Sequence, residues 1–229
     1  MIWHRGVGHG VWGLALAGLL IFCGALAGVP AQAFEPPPGN KNFATPGSVP
    51  NYFSDEAAPF SFFNAVSSVP PVVVLGISPG DSAGDGWKDT ERNIRDTGEF
   101  VVNLVDEALA ERMNVCAVDF PKGIAELEKA ELHPLASVEV KPPRIAEAPV
   151  SFECKRITGL SLGARSTLEV GRVIHIHIRD DLVDPEKFYV QTDKMRLIGR
   201  MHGRGWYART SDLFLMDRIS FADWKDGKR

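Results

Sequence analysis

Apolar positions in this chain recur mostly at a period of two and only briefly at a helical period. Residues 72–77 (VVVLGI) follow Pro70-Pro71 and predict a buried strand. That strand must begin at or after the prolines, because proline cannot donate to a ladder. Residues 100–105 and 150–160 predict further strands, and 138–140 a short one. The clearest alternation lies in 168–178. Leu168, Val170, Ile174, Ile176 and Ile178 share one face, while Glu169, Val173, His175, His177 and Arg179 share the other. Arg172 falls on the apolar face, which calls for a partner, an edge or a cleft. Helical spacing is limited to three places. One runs from Lys88 to about Asp96, with Asp89 or Thr90 as N-cap and Gly98 as terminator. Another runs from Asp106 to about Ala117 and puts Leu109 and Met113 on one face. A polar turn surrounds 125–130. Short strands between Gly/Pro turns, with few helices, predict a mainly β fold, an antiparallel β-barrel with a few short helices.

The N-terminus follows neither period. Residues 11–29 carry no charge, Arg5 precedes them, and Ala31-Gln32-Ala33 follows as an A-x-A pattern. Residues 1–33 therefore read as a secretory signal peptide cleaved after Ala33, or as a membrane anchor, since the apolar run is just long enough to span a bilayer. Residues 34–50 are rich in Pro, Gly and Asn and read as a linker; residues 219–229 read as a polar, fraying tail.

Composition narrows the function classes. The 229 residues carry a net charge of −4 with scattered basic residues, which gives no footprint for nucleic acid. Of three cysteines, Cys23 would leave with the signal peptide, and Cys116 and Cys154 could pair in an exported chain but read rather as buried free thiols. His175 and His177 stand two apart on one face but have no evident third metal ligand. There is no G-x-G-x-x-G after a strand, no G-x-S-x-G elbow and no outstanding pair of carboxylates, so any chemistry would belong to a bound cofactor.

The candidate site begins at Ala58-Pro59-Phe60-Ser61-Phe62-Phe63-Asn64-Ala65-Val66-Ser67 and continues into the double proline. Aromatic rings beside fixed polar groups suit a planar ligand with polar edges; an aromatic strand, a turn and a second strand would look the same. Lys88 beside a helix start, with Thr90 nearby, forms a natural phosphate seat or a plain capped helix with a solvated lysine.

These pieces occur in a particular order: Ala-Pro-Phe-Ser, Phe-Asn-Ala and Pro-Pro, then Lys88-Asp89-Thr90 with Asn93, Thr97-Gly98-Glu99-Phe100, Lys141-Pro142-Pro143-Arg144, and Gly171-Arg172-Val173 with His177. The ordered set resembles the flavin reductase-like, FMN-binding split-barrel family of the flavoredoxin type, over about residues 57 to 216. The resemblance implies a Greek-key split barrel over residues 51–218, with a first strand that is divergent or missing, because the family's opening strand is not found. Either that strand is lost, or it is built from unrelated residues, or the reading frame upstream is not the ancestral one. By the same resemblance, FMN would be held by Pro59, Ser61, Phe63, Asn64, Ala65, Val66 and Ser67, with its phosphate at Lys88, Asp89, Thr90 and Asn93 and a further contact from Arg200. His177 would stand at a nicotinamide face. The implied activity is an FMN-dependent oxidoreductase in a homodimer, passing hydride from NADH or NADPH to flavin and on to an unknown acceptor. A flavin-binding electron carrier without turnover, or a split-barrel relic with impaired binding, would use the same residues. The family is mostly cytoplasmic, whereas this N-terminus reads as exported or anchored.

Overall fold

The structure is a computed structural model that describes residues 21–24 by their backbone, and residues 58–80, 86–120, 124–202 and 205–228. Most of the export segment, the linker and residues 51–57 lie outside the described residues.

Its main element is a seven-stranded antiparallel sheet in the order β2-β1-β5-β8-β9-β4-β3. The strands are β1 (Ile21–Gly24), β2 (Ala58–Phe60), β3 (Phe63–Ser68), β4 (Pro71–Ile77), β5 (Glu99–Leu104), β8 (Val150–Gly163) and β9 (Ser166–Ile178). The strand after the double proline starts at Pro71, as the missing donor requires. The sheet's two edges, β2 and β3, are consecutive in the chain and joined only by Ser61 and Phe62. Seven strands laid flat would separate those edges by roughly 29 Å, six spacings of ~4.8 Å. The link covers at most roughly 11 Å, three Cα steps of ~3.8 Å. The sheet therefore has to curl back on itself and part at Ser61-Phe62. Phe60 from one edge and Phe63 from the other accordingly share one buried cluster with Leu75, Phe100, Val102 and Phe152.

The opening strand is present and comes from an unexpected place. Ile21–Gly24, inside the apolar run read as an export signal, pairs antiparallel with Ala58–Phe60 on one side and with residues 101–104 of β5 on the other. The first strand is therefore not lost; it is built from residues 21–24.

α1 (Asp89–Thr97) precedes β5 and ends at Gly98, whose φ of 69° is the left-handed C-cap. Its N-cap is Lys88, in extended conformation and with no side-chain cap, not Asp89 or Thr90 as the sequence suggested. Asp89 is instead paired with Arg92 one turn on. The amphipathic stretch after β5 opens with a single 3-10 turn and then forms α2 (Ala110–Val115). Leu109 and Met113 are buried there, in a second cluster with α3 (Glu126–Lys129).

Two expectations change. Residues 138–140 form a bend, not a strand, because their backbone N–H groups go to a side chain, the Glu153 carboxylate, at 2.6 to 3.1 Å. The two-stranded ribbon in that region is β6 (Pro134–Leu135) with β7 (Arg144–Ile145). In β9 the buried face is the one that carries Thr167, Glu169, Gly171 and Val173, while Leu168, Val170 and Ile174 are only half-buried and Arg172 is exposed. An extra residue in β9, Ile174, then switches the faces, so Ile176 and Ile178 pack against the core as the alternation predicts. The buried charge is answered by Arg156, whose Nε and Nη2 donate to Glu169 at 2.6 and 3.2 Å. Gly171 leaves room for the Phe100 ring, which a Cβ would overlap. After β10 (Val183–Asp184) and β11 (Tyr189–Val190), the chain closes with a β12 (Ile198–His202) and β13 (Trp206–Arg209) hairpin. The tail forms α4 (Phe221–Lys225), capped by Ser220. Cys116 and Cys154 are buried free thiols, and burial pushes the Cys116 thiol up to about 12.

Candidate flavin cleft

The parting of the sheet is where the cleft lies. A cavity of about 530 Å³ opens beside the link, lined by Ser61, Phe62, Phe63 and Asn64, by Val74, Gly76, Ile77 and Ser78 at the end of β4, and by Leu162, Ser166, Thr167 and Leu168 on the facing hairpin. Its volume and its mixture of aromatic walls and hydroxyl or amide edges suit a flat, polar-edged ligand. The Phe62 carbonyl accepts from Gly76 N–H at 2.7 Å, which pins the link across β4. A Cβ on Gly76 would press into Phe62, so this close approach requires glycine.

Strand geometry divides the residues that the sequence grouped together. Phe63, Ala65 and Ser67 turn inward, whereas Asn64 and Val66 turn outward. Ser61, Phe63 and Asn64 meet at the cavity; Ala65, Val66 and Ser67 continue along β3 beyond it. Pro59 pairs with Phe22 in the β2–β1 ladder. Phe62, one of the rings of the candidate stretch, is 68% exposed and forms part of the cavity wall.

The second half of the site is the start of α1. Among the described residues no side chain caps its first turn, which leaves N–H donors and positive helix potential beside Lys88. The lysine stem packs on Gly80, where a Cβ would overlap it, and its Nζ stands 5.6 Å from the Phe60 ring centroid. Thr90 and Asn93 are buried on the inner side of the helix. An uncapped helix start, a lysine held over an aromatic ring and a cavity of nucleotide size fit a flavin with its phosphate at α1.

One bond ties the two halves together. Thr167 on the cavity wall donates its hydroxyl to Glu91 of α1 at 2.8 Å. Burial, with the nearby Glu169 charge, raises the Glu91 carboxyl above its ordinary value despite that hydrogen bond. A raised carboxyl costs stability once pH exceeds its unfolded value. Glu91→Gln keeps an acceptor for Thr167 and removes that cost. It is expected to melt a few degrees higher at pH 7 and no differently at pH 4, as followed by thermal denaturation at both; an equal shift at the two pH values would refute this account.

Two further sequence candidates lie elsewhere. Arg200 is on the β12–β13 hairpin, where its Nη1 donates to Tyr207 Oη at 3.1 Å and its guanidinium sits over that ring. His177 Nε2 is 2.5 Å from Glu153, with the His175 ring 4.6 Å away. Neither lines the cavity. Among the described residues no group of three His, Cys, Asp or Glu could hold a metal ion. Sequence reasoning gave no role to Glu91, Thr167 or the facing hairpin. Thr167 lies one residue before the alternating stretch, and only its buried polar partner marks it out.

Comparison with known proteins agrees with the geometry. A family model described as flavin reductase like domain matches residues 44–198. An uncharacterised protein of Deinococcus radiodurans is 41% identical over 170 residues, 74% of this chain and 74% of its own length. The structure of 2-nitrobenzoate 2-nitroreductase from Pseudomonas fluorescens is similar at a TM-score of 0.64 and 34% identity, covering 72% of this chain and 78% of that one. Component B of nitrilotriacetate monooxygenase from Bacillus cereus gives a TM-score of 0.64 at 30% identity, covering 70% and 79%.

Proposed function

We propose that this chain, which belongs to the flavin reductase-like domain family and has its split-barrel fold, is an FMN-dependent oxidoreductase that takes reducing equivalents from NADH or NADPH. The observation that carries this reading is the position of the cleft. It lies where the sheet's consecutive edges part, and Lys88 at the start of α1 stands over Phe60, the residue just before the link. Bound FMN supplies the redox chemistry, two-electron uptake from a nicotinamide and delivery to an acceptor. The protein's own part is positional. Phe62 and Phe63 offer apolar walls to the ring, Ser61 and Asn64 offer hydrogen bonds to its polar edge, and Lys88 with the α1 N–H groups receives the phosphate. No side chain has to move a proton.

The cleft is open on one side, and its surroundings are apolar. Phe62, Val66 and Val69 project from the exposed edge of the sheet, and Leu213, Phe214, Leu215 and Met216 form an exposed run near the C-terminus. An uncovered edge strand with this much apolar surface favours a homodimer that shields it. The similarity to a nitroreductase and to a monooxygenase component supports an electron acceptor outside the protein.

The test is an absorbance titration of the full chain with FMN, followed by anaerobic addition of NADH and then NADPH. Stoichiometric binding with bleaching of the flavin band by either nicotinamide is the expected result. Binding without bleaching would point to an electron carrier, and no binding would refute the proposal.

A further inference from the structure

β8 and β9 are joined by a two-residue turn, Ala164-Arg165, closed by the Gly163–Ser166 pair. Both turn residues are left-handed, with φ of 47° and 60°. The right-handed twist of the strands calls for that geometry, and Asn-Gly normally supplies it at little cost. Alanine and arginine take it up only with strain. A hairpin tip that keeps an arginine in a costly conformation invites the question of what the side chain does.

That side chain reaches across to the loop between β4 and α1. It lies so closely over Gly86 that a Cβ there would overlap the guanidinium and come within 2.6 Å of Cδ. Gly86 is itself at φ 82°, and its carbonyl accepts from Gly80 N–H at 3.2 Å, closing the neck of the loop. One arm of that neck carries Ser78 on the cavity wall, and the other leads to Lys88 at the start of α1. Leu162 and Ser166, which flank the turn, line the same cavity. Arg165 is exposed, and among the described residues it has no carboxylate partner. Other arginines of the fold are spoken for: Arg156 by Glu169, Arg179 by Asp181, and Arg196 and Arg209 by Glu107.

We propose that Arg165 reads a phosphate ester of the nucleotide bound in the cleft, and that the strained turn is kept because it aims the guanidinium there. A planar fork of N–H donors matches phosphate oxygens in a way a lysine does not. Together with Lys88 and the helix start, it would surround an anion from two sides. The phosphate belongs either to the flavin or to the nicotinamide donor. This inference rests on the flavin reading above.

Arg165→Gly separates function from scaffold, because the two respond in opposite directions. Glycine relieves the turn, so the melting temperature should hold or rise by a few degrees. Affinity for FMN should fall at least tenfold while affinity for riboflavin, which lacks the phosphate, stays unchanged; that result assigns the flavin phosphate. If FMN and riboflavin are both unaffected but KM for NADPH rises tenfold with KM for NADH unchanged, the phosphate is that of the nicotinamide donor. Arg165→Lys should recover only part of either loss. Unchanged FMN-to-riboflavin and NADPH-to-NADH ratios would overturn the proposal, as would a lower melting temperature with equal losses for phosphorylated and unphosphorylated ligands. Failure of the wild-type chain to bind any flavin would instead overturn the functional reading, and this proposal with it.

Discussion

Glu153→Leu is expected to lower the melting temperature by about 10 °C at pH 7, the largest single-residue effect anticipated in this protein. Glu153 is fully buried, and its carboxylate accepts from three consecutive backbone N–H groups, those of Val138, Glu139 and Val140. It also lies 2.5 Å from His177 Nε2. Leucine fills the volume but leaves all four donors unanswered. Stranding the partners of a buried charge costs about 3–5 kcal/mol. At about 2–4 °C per kcal/mol for a chain of this size, that cost gives the stated shift. The loss should begin locally, with faster hydrogen exchange and proteolysis at 138–140, since that bend has no ladder of its own to fall back on.

The effect should depend on pH in a defined direction. Burial pushes the Glu153 carboxyl up, but the hydrogen bonds from His177 and from the backbone of Val138 and Glu139 outweigh it and hold the group below its ordinary value. A depressed carboxyl contributes stability that is present above its unfolded pKa and is lost as pH falls through the folded one. The gap between wild type and Glu153→Leu should therefore be full at neutral pH and narrow on the acid side of about pH 4. A gap that is constant from pH 7 to pH 3 would mean that the carboxylate's charge is not what holds the bend.

A chain that begins at Phe34 should melt at least about 10 °C lower than the full chain. Such a chain lacks β1, which stands between β2 and β5 and forms three registered pairs with one and four with the other. Its loss leaves the β5 edge open and detaches β2, with Phe60, from the sheet. At about 1 kcal/mol net per backbone hydrogen bond, the ladder alone accounts for several kcal/mol. Flavin binding should weaken in parallel, because β2 carries one side of the link that lines the cleft. Thermal melts and FMN titrations of the two chains, beside N-terminal sequencing of the protein purified from its host, decide between strand and leader. Equal melting temperatures would mean that residues 21–24 contribute nothing to the sheet, and the export reading would stand.

The local grammar of the chain determined a good deal. A double proline sets the start of β4, Gly98 ends α1, and alternation marks β8 and β9, because each depends on a backbone constraint carried by one or two neighbouring residues. Part of the cavity wall was legible for the same reason: Ser61, Phe63 and Asn64 lie on one short stretch, whereas Lys88, Asp89, Thr90 and Asn93 stand at α1 and do not line the cavity. Faces and partners were not legible. Glu169 can lie inward because Arg156 answers it across the ladder, and an extra residue at Ile174 switches the faces of β9, so hydropathy alone pointed to the wrong side for Leu168 and Val170 and to the right one for Ile176 and Ile178. The bend at 138–140 depends on a carboxylate at least thirteen residues away. The identity of the first strand depends on which segment reaches the gap between β2 and β5, and a run of apolar residues satisfies a bilayer, a signal recognition groove or a ladder equally well. Only the assembled sheet makes that choice, because the place between β2 and β5, where residues 21–24 pair on both sides, exists only once both strands are in position.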